Sequence, residues 1–427
     1  MPLDGRDAGC LLQRPAARQV RSVAAAVSFA LVLSILCLDS FRAAWSEEKS
    51  KYETDLEAFL QEMDRTYPFF DLKGIRGDWK ATSARLREEV KTCQSDEAFL
   101  GLVMKAIECL RDSHVGIVKA NAKFPEMPRR YYSGGSFMPA TDNRIVVMYP
   151  PQEGDPDLKT GTVVTKIDGK NARDVLEEQA KAAWTRGGPF SSPQRARLFE
   201  YRILLRGEKG DSHTLTVLIG EKERKVRLSS TVEASGWPHT YNMPTSLTST
   251  GRSCGYTKLA SAVGYIYLRR VDESTEPGIA KALSAHPDAK GWIIDLRGNG
   301  GGGYDQALLN RLKSIPRPVA CIIDAGCISA GETLARDLVS LSKARLFGST
   351  TAGASSSKRE WTFPSGIATL SLPTRSRNGV GGKLIEFHGI EPDERIEAAP
   401  DEVQRGLNSE ILRAEAYLLK TGGNPSR

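Results

Sequence analysis

Between residues 250 and 400, short apolar runs alternate with helical segments, and this pattern restricts the fold more than any other feature of the chain. The predicted strands and helices are Val263–Leu268, Trp292–Leu296, Tyr304–Ser314, Val319–Ile323, Ser329–Ser340 and Arg345–Phe347. The pattern therefore predicts an α/β domain over residues 250–400.

The remainder of the 427-residue chain indicates a multi-domain α/β protein. Residues 47–125 are predicted to be a helical N-terminal segment, because apolar residues recur on one face from Tyr52 onward. Residues 134–232 alternate like half-buried strands separated by turns. Residues 401–427 are predicted to form a C-terminal helix and a tail.

The N-terminus has the pattern of an export signal. Arg14, Arg18 and Arg21 precede an uncharged run from Ser22 to Leu38, and the small residues of Ala44-Trp45-Ser46 offer a cleavage site. Residues 1–46 are therefore predicted to be a signal peptide or a membrane anchor, and the protein to be periplasmic or extracellular. An uncleaved anchor is the alternative, because the run approaches the length of a membrane span.

Charge and cysteine content exclude several classes of function. The net charge is +7, of which five Arg against three Asp in residues 1–46 supply +2. So diffuse an excess does not predict nucleic-acid binding. The seven cysteines form no CxxC pair and no zinc-like spacing with histidine, so we expect no metal site.

The segment Cys327–Glu332 follows an apolar strand and opens a helix. A helix N-terminus offers free backbone N–H groups and a positive partial charge, which suit a nucleophilic hydroxyl and a developing oxyanion. Ser329 is therefore a candidate nucleophile. Ser329 and Glu332 also satisfy the capping box S-x-x-E, and on this motif alone the structural interpretation is favoured.

A second loop, Asp295–Gly303, also follows an apolar strand and ends in four consecutive glycines. Glycine lets the backbone adopt a positive φ and approach a ligand closely. Gly298, Gly300 and Gly303 match G-x-G-x-x-G, with Asp324 further on, so a dinucleotide-dependent dehydrogenase is an alternative hypothesis. We favour it less, because the bare pattern recurs by chance.

A nucleophilic serine needs a base, and histidine suits neutral pH. The chain has five histidines: His114, His213, His239, His286 and His388. Three have surface-like contexts, and the residues alone leave His114 and His388 open. The base also needs a carboxylate to orient it. Three acidic residues around His388 are candidates: Glu386, Glu391 and Asp393.

Residues 158–178 resemble a PDZ domain, with a strand, a turn at Asp168-Gly169 and a short helix. Such a domain captures peptides by strand addition. Residues 182–208 fit that pattern poorly and are interpreted as an insertion.

Taken in order, the Ser113-His114 pair, the PDZ-like insert, DLRGNGGG, SAGE and the Glu386–Asp393 segment resemble the tricorn-type and C-terminal-processing (tail-specific) serine peptidases. The resemblance covers residues 50–400. It implies a catalytic domain of the ClpP/crotonase-like type over 250–400, acting on a peptide or protein substrate without a metal or organic cofactor.

The resemblance also implies roles for individual residues. Ser329 matches the nucleophile, and the amides of Ala330 and of a glycine in the Gly300–Gly302 run, favoured as Gly301, match the oxyanion hole. In the tricorn branch the base is a histidine beside a serine, which His114 and Ser113 resemble, and Glu386 resembles the partner carboxylate.

Two alternatives stay open beside this serine peptidase hypothesis. The processing branch uses a lysine downstream of the serine, but Ala354 stands at that position, so a Ser–Lys dyad would have to use Lys358. The other alternative is a catalytically silent protein of the same fold that binds peptides or other ligands.

Overall fold

A mixed seven-stranded sheet organises the C-terminal part of the chain. The computed structural model describes residues 49–126, 129–151, 154–234 and 243–422. The predicted signal peptide or anchor at residues 1–46 lies outside these ranges. No helix in the described ranges is both long enough and apolar enough to span a bilayer.

The elements are numbered along the chain. The helices are α1 (Lys51–Thr66), α2 (Phe70–Lys73), α3 (Arg76–Glu89), α4 (Asp96–Leu110), α5 (Ala172–Thr185), α6 (Pro193–Arg202), α7 (Thr275–Ala285), α8 (Gln306–Lys313), α9 (Ala330–Ser342), α10 (Pro400–Gln404) and α11 (Ser409–Gly422). Two short 3₁₀ turns lie at Val90–Thr92 and Val380–Gly382.

The strands fall into four sheets. They are β1 (Gly116–Ala120), β2 (Tyr131–Tyr132), β3 (Ser136–Ala140), β4 (Arg144–Tyr149), β5 (Val163–Ile167), β6 (Lys170–Asn171), β7 (Ser212–Ile219), β8 (Lys222–Ser229), β9 (Val232–Glu233), β10 (Thr248–Thr250), β11 (Cys254–Lys258), β12 (Gly264–Leu268), β13 (Trp292–Asp295), β14 (Val319–Ile323), β15 (Arg345–Gly348), β16 (Ser356–Thr362), β17 (Ala368–Ser376) and β18 (Glu394–Arg395).

The seven-stranded sheet has the order β10-β11-β12-β13-β14-β15-β18 and is parallel from β12 to β18. Every residue of β13 and β14 is buried, including Asp295 at the end of β13. One core packs α7, α8 and α9 against one face of the sheet, and a second packs α11 against the other. Because neighbouring parallel strands end at the same edge, the loops after β13 and β14 lie side by side.

The N-terminal helices share a core with a β-sheet formed by distant parts of the chain. The order of that sheet is β1-β17-β16, and its apolar side chains pack with those of α1, α3 and α4. β1 begins two residues after His114, and Gly116 pairs with Ser371 of β17. This pairing joins the end of α4 to the C-terminal region.

The middle of the chain forms the sheet β3-β4-β5-β7-β8, with β6 beside β5, around its own core. Helices α5 and α6 occupy most of residues 172–202, the region interpreted as an insertion into a PDZ-like pattern. The predicted fold class, a multi-domain α/β protein with a helical N-terminal segment and a C-terminal α/β region, is confirmed.

The middle sheet lies against α10. A Cβ placed on Gly161 would lie 2.4 Å from Gln404 Cα, whereas Gly169 has nothing within 4 Å, although both glycines have positive φ. Alanine at either position carries backbone strain of about 1 kcal/mol. We expect Gly161→Ala to cost a further ~1–3 kcal/mol because α10 must shift. Calorimetric Tm values of the two variants measure the difference, and equal values would contradict this packing.

Candidate active site

Ser329 lies at the turn from β14 into α9, with an unusual backbone conformation of φ +54° and ψ −120°. A side-chain-bearing residue rarely adopts positive φ, and such strain persists only where the surroundings enforce it. Two hydrogen bonds fix the turn here. The Ser329 N–H donates to the Ala354 carbonyl at 2.8 Å, and the Ser329 carbonyl accepts from the Glu332 N–H at 3.0 Å.

The buried carboxylate of Glu332 holds the loop 351–354 against this turn. It accepts hydrogen bonds from the Thr351 hydroxyl (2.6 Å) and from the amides of Gly353 (2.8 Å), Ala354 (2.9 Å) and Ser329 (3.2 Å). Burial raises the pKa of Glu332 to about 7. The four hydrogen bonds lower this pKa, but the effect of burial is larger. Glu332 thus makes the backbone contact of a capping box and also connects two loops, which the motif alone did not indicate.

The glycine loop after β13 lies directly against Ser329. A Cβ on Gly301, whose φ is +74°, would lie 2.7 Å from Ser329 Cβ and 3.2 Å from the Ala330 nitrogen. The Gly301 amide donates to Asn299 Oδ1 at 2.9 Å. Among the described residues, the amides of Gly302 and Ala330 donate to no protein acceptor. Their N–H groups are therefore uncommitted beside the serine.

The same loop argues against a dinucleotide site. Asp324 Oδ1 accepts from the amides of Gly298 (2.8 Å) and Gly326 (2.9 Å). The carboxylate is thus engaged in holding the glycine loop, whereas a dinucleotide site needs it for a ribose hydroxyl.

His114 lies between α4 and β1, with 7% of its surface exposed, beside two buried carboxylates. One ring nitrogen and one oxygen each of Asp112 and Glu386 all lie within 4.8 Å of one another. The Nδ1 atom of His114 is buried and has no hydrogen-bond partner in the described part of the chain. Burial lowers the pKa of His114 to about 4; the Asp112 carboxylate opposes this and the charges of Lys358 and Lys73 add to it.

Ser355 connects Ser329 to this cluster. Its hydroxyl donates to the Ser329 carbonyl at 3.3 Å, and its amide donates to Glu386 Oε2 at 3.1 Å. Burial raises the pKa of Glu386 and the Asp112 carboxylate raises it further, whereas Lys73 and a hydrogen bond from Ser191 lower it. Ser355 therefore lies between Ser329 and Glu386, and an oxygen of Glu386 lies within 4.8 Å of a His114 ring nitrogen.

Ser113 is bound to the loop before α6. Its hydroxyl donates to the Pro189 carbonyl at 2.6 Å, and its amide donates to the Ser191 hydroxyl at 3.0 Å. The Ser191 hydroxyl that accepts this bond also lowers the pKa of Glu386.

Asp112, Ser191 and Lys73 belong to the cluster, and sequence reasoning missed all three. Asp112 directly precedes the Ser113-His114 pair, so its position in the sequence could have indicated that it belongs to the cluster. Lys73 and Ser191 lie in segments without a motif. A trio such as Asp112, His114 and Glu386 could suit a metal ion. In this structure the Lys73 ammonium lies 3.1 Å from Asp112 Oδ2 and 2.9 Å from Glu386 Oε1 and supplies positive charge there.

The structure also places the other candidates for the general base, at positions 354, 358 and 388. Ala354, where a dyad lysine would stand, is buried with its carbonyl on Ser329. Lys358 is exposed on β16, although its charge reaches His114. His388 lines a cavity of about 500 Å³ between β3, α6 and residues 388–397, and none of Ser329, His114 and Glu386 lines that cavity.

Two loops at one edge of the parallel sheet thus present a strained serine at a helix N-terminus together with free amides. With the buried histidine–carboxylate cluster, this arrangement is typical of a serine hydrolase-like site. The sequence profile of peptidase family S41 matches residues 262–315 and 309–396. Residues 262–396 are therefore similar to peptidase family S41, and this match supports a serine-type peptidase.

Solved structures of CPAF support the fold. Mature CPAF is 14% identical, with a TM-score of 0.60 over 88% of this chain and 98% of that chain. Its S499A mutant gives 14% identity and a TM-score of 0.59 over 88% and 98%. The tricorn protease is 16% identical over 88% of this chain and 37% of that chain, with a TM-score of 0.43. A comparison with curated protein sequences found no match.

The burial of His114 makes the stability of the protein depend on pH. Because its folded pKa, about 4, lies below the ordinary value of 6.5, the unfolded chain binds a proton that the folded chain does not. Stability is therefore lost as the pH falls from about 6.5 through about 4, by roughly 3 kcal/mol in full. We expect His114→Asn to flatten the fall of Tm over this range. His286→Asn is the control, and an unchanged slope in His114→Asn would contradict the expectation.

Proposed function

We propose that this chain is an exported serine peptidase that hydrolyses peptide bonds through an acyl-enzyme on Ser329, with His114 as the general base. The observation that carries the proposal is the strained turn of Ser329 at the N-terminus of α9, with the uncommitted Ala330 amide beside it. The S41 profile match supports the reaction class. The signal-like sequence of residues 1–46 supports export.

In this mechanism His114 takes the proton from the Ser329 hydroxyl as its oxygen attacks the peptide carbonyl. The imidazolium that forms then protonates the leaving amine, and water resolves the acyl-enzyme. The low pKa of His114 keeps the imidazole neutral and able to accept a proton at neutral pH. Hydrogen bonds of a catalytic site are often long before substrate binds, which fits the spacing of up to 4.8 Å in the cluster.

Glu386 is proposed to orient His114 and to stabilise the imidazolium. Its position supports this role, because one carboxylate oxygen is held by the Ser355 amide and the other by the Lys73 ammonium. Ser113 is proposed to hold His114 in place through its two hydrogen bonds to the loop 189–191.

The oxyanion hole is proposed to use the Ala330 amide and one amide of the glycine loop. We retain Gly301, because its Cα lies against Ser329 and the Ala330 nitrogen. In this structure the Gly301 amide donates to Asn299, so the uncommitted amide of Gly302 is the alternative second donor.

The nucleophile is tested with chain lacking residues 1–46, fluorescently labelled casein and a fluorophosphonate probe. We expect wild type to cleave casein and to label, and Ser329→Ala to do neither, because the attacking oxygen is gone. Circular dichroism and Tm of the variant check that the fold is intact. Hydrolysis by Ser329→Ala would reject the nucleophile, and inactivity of both proteins would favour the silent binding protein.

The base is tested by a matched pair. We expect His114→Gln to lose at least about a hundredfold in kcat, in line with general-base catalysis. Lys358→Met should keep most of the activity, since its side chain is exposed. The opposite result, with loss only in Lys358→Met, would establish the Ser–Lys dyad.

The glycine loop offers a test of the oxyanion hole. Gly301→Ala places a methyl group 2.7 Å from Ser329 Cβ, in the space that the oxyanion needs, whereas Gly300→Ala meets nothing within 4 Å. We expect Gly301→Ala to lower kcat by about 10²–10³-fold, the cost of one oxyanion donor. Gly300→Ala is the control, and Tm separates this effect from unfolding. Full activity in Gly301→Ala would contradict the arrangement.

A further inference from the structure

A lysine of the N-terminal helical segment lies inside the proposed active site. Lys73 is the last residue of α2, and its side chain is fully buried. Its ammonium lies 2.9 Å from Glu386 Oε1 and 3.1 Å from Asp112 Oδ2. It also donates to the Arg111 carbonyl at 2.8 Å and the Tyr67 hydroxyl at 3.1 Å. Each of the three N–H donors of the ammonium therefore has an oxygen acceptor within reach.

We infer that Lys73 is a positioning residue for the peptidase reaction: it holds the Asp112 and Glu386 carboxylates apart and keeps them beside His114. The inference rests on the proposed function, because it assigns Lys73 a role through Glu386 and His114. It adds to the catalytic set a residue more than 250 positions before Ser329 in the chain.

The argument is one of charge. Two buried carboxylates close together cannot both ionise, and without a cation between them they would share a proton. A carboxyl group bonded to its neighbour is a poor partner for His114. The Lys73 ammonium, 2.9 Å from Glu386 Oε1 and 3.1 Å from Asp112 Oδ2, is such a cation and leaves Glu386 free to face His114.

The groups around the cluster fit this role. Tyr67 donates to Asp112 Oδ2 at 2.9 Å, and Asp112 Oδ1 accepts the His114 amide at 2.8 Å. Lys358 on β16 is a further cation that acts on His114. The ring centroids of Tyr67 and Phe69 lie 5.8 and 5.5 Å from the Lys73 ammonium.

The first test separates charge from packing without using activity. Lys73→Met keeps most of the side-chain volume and removes the charge. We expect its Tm loss relative to wild type to be larger at about pH 9 than at about pH 5, by about 3 °C or more, because protonation relieves the unpaired carboxylates at low pH. Lys73→Met/Asp112→Asn should remove this pH dependence. A loss of the same size at both pH values would overturn the inference.

The second test measures casein hydrolysis. We expect Lys73→Met to lower kcat by about tenfold or more with little change in KM, the pattern of an interaction needed only in the transition state. Lys73→Met/Asp112→Asn should recover most of kcat, because Glu386 alone then faces His114 without a competing charge. Lys105→Met, on an exposed ion pair with Glu89, is the control.

The outcomes distinguish this inference from the proposed function. Wild-type hydrolysis that depends on Ser329 but is unchanged in Lys73→Met overturns the role of Lys73 alone, as does a kcat loss that the double variant does not rescue. A wild type that neither hydrolyses nor labels rejects the proposed function. The pH dependence of Tm then still decides whether Lys73 holds the two carboxylates by charge.

Discussion

The site depends on one buried carboxylate. Glu332 accepts four hydrogen bonds, one from the strained Ser329 and three from the loop 351–354. These bonds add to those of the Ser329 amide to the Ala354 carbonyl and of the Glu332 amide to the Ser329 carbonyl, and together they hold the serine at positive φ. The same loop continues into Ser355, which bonds both the Ser329 carbonyl and Glu386. The orientation of the serine and the position of the carboxylate partner therefore follow from one anchoring interaction in the interior of the α/β region.

Pairing between β-strands brings His114 close to residues that lie more than 200 positions later in the chain. β1, directly after His114, pairs with β17, and β17 leads within ten residues to Glu386. The apolar faces of the N-terminal helices cover that sheet, so hydrophobic burial fixes the pairing. The N-terminal segment is thus part of the site in a physical sense, since it supplies His114, Asp112 and Lys73.

The alternation of strands and helices in residues 250–400 could be predicted from the sequence, because short apolar runs alternate with helical segments there. Ser329 could be predicted as a candidate for the same reason, since it follows such a strand and begins a helix. The choice of His114 over His388 needed the family resemblance, because local sequence gives no distance between remote residues. Lys73 could not be foreseen, since a lysine at the end of a short helix is ordinarily exposed, and only tertiary packing encloses it.

The division of the site between two ends of the chain has a consequence for how this protein can be cut or recombined. Residues 262–396, which match the family profile, contain Ser329 and Glu386 but neither His114 nor the helices that cover β17. An excised fragment of that length would expose Phe363, Leu370 and Leu372 to water and would lack His114, the proposed base. Under the proposed function, activity therefore needs both parts of the chain, the part that carries His114 and the part that carries Ser329.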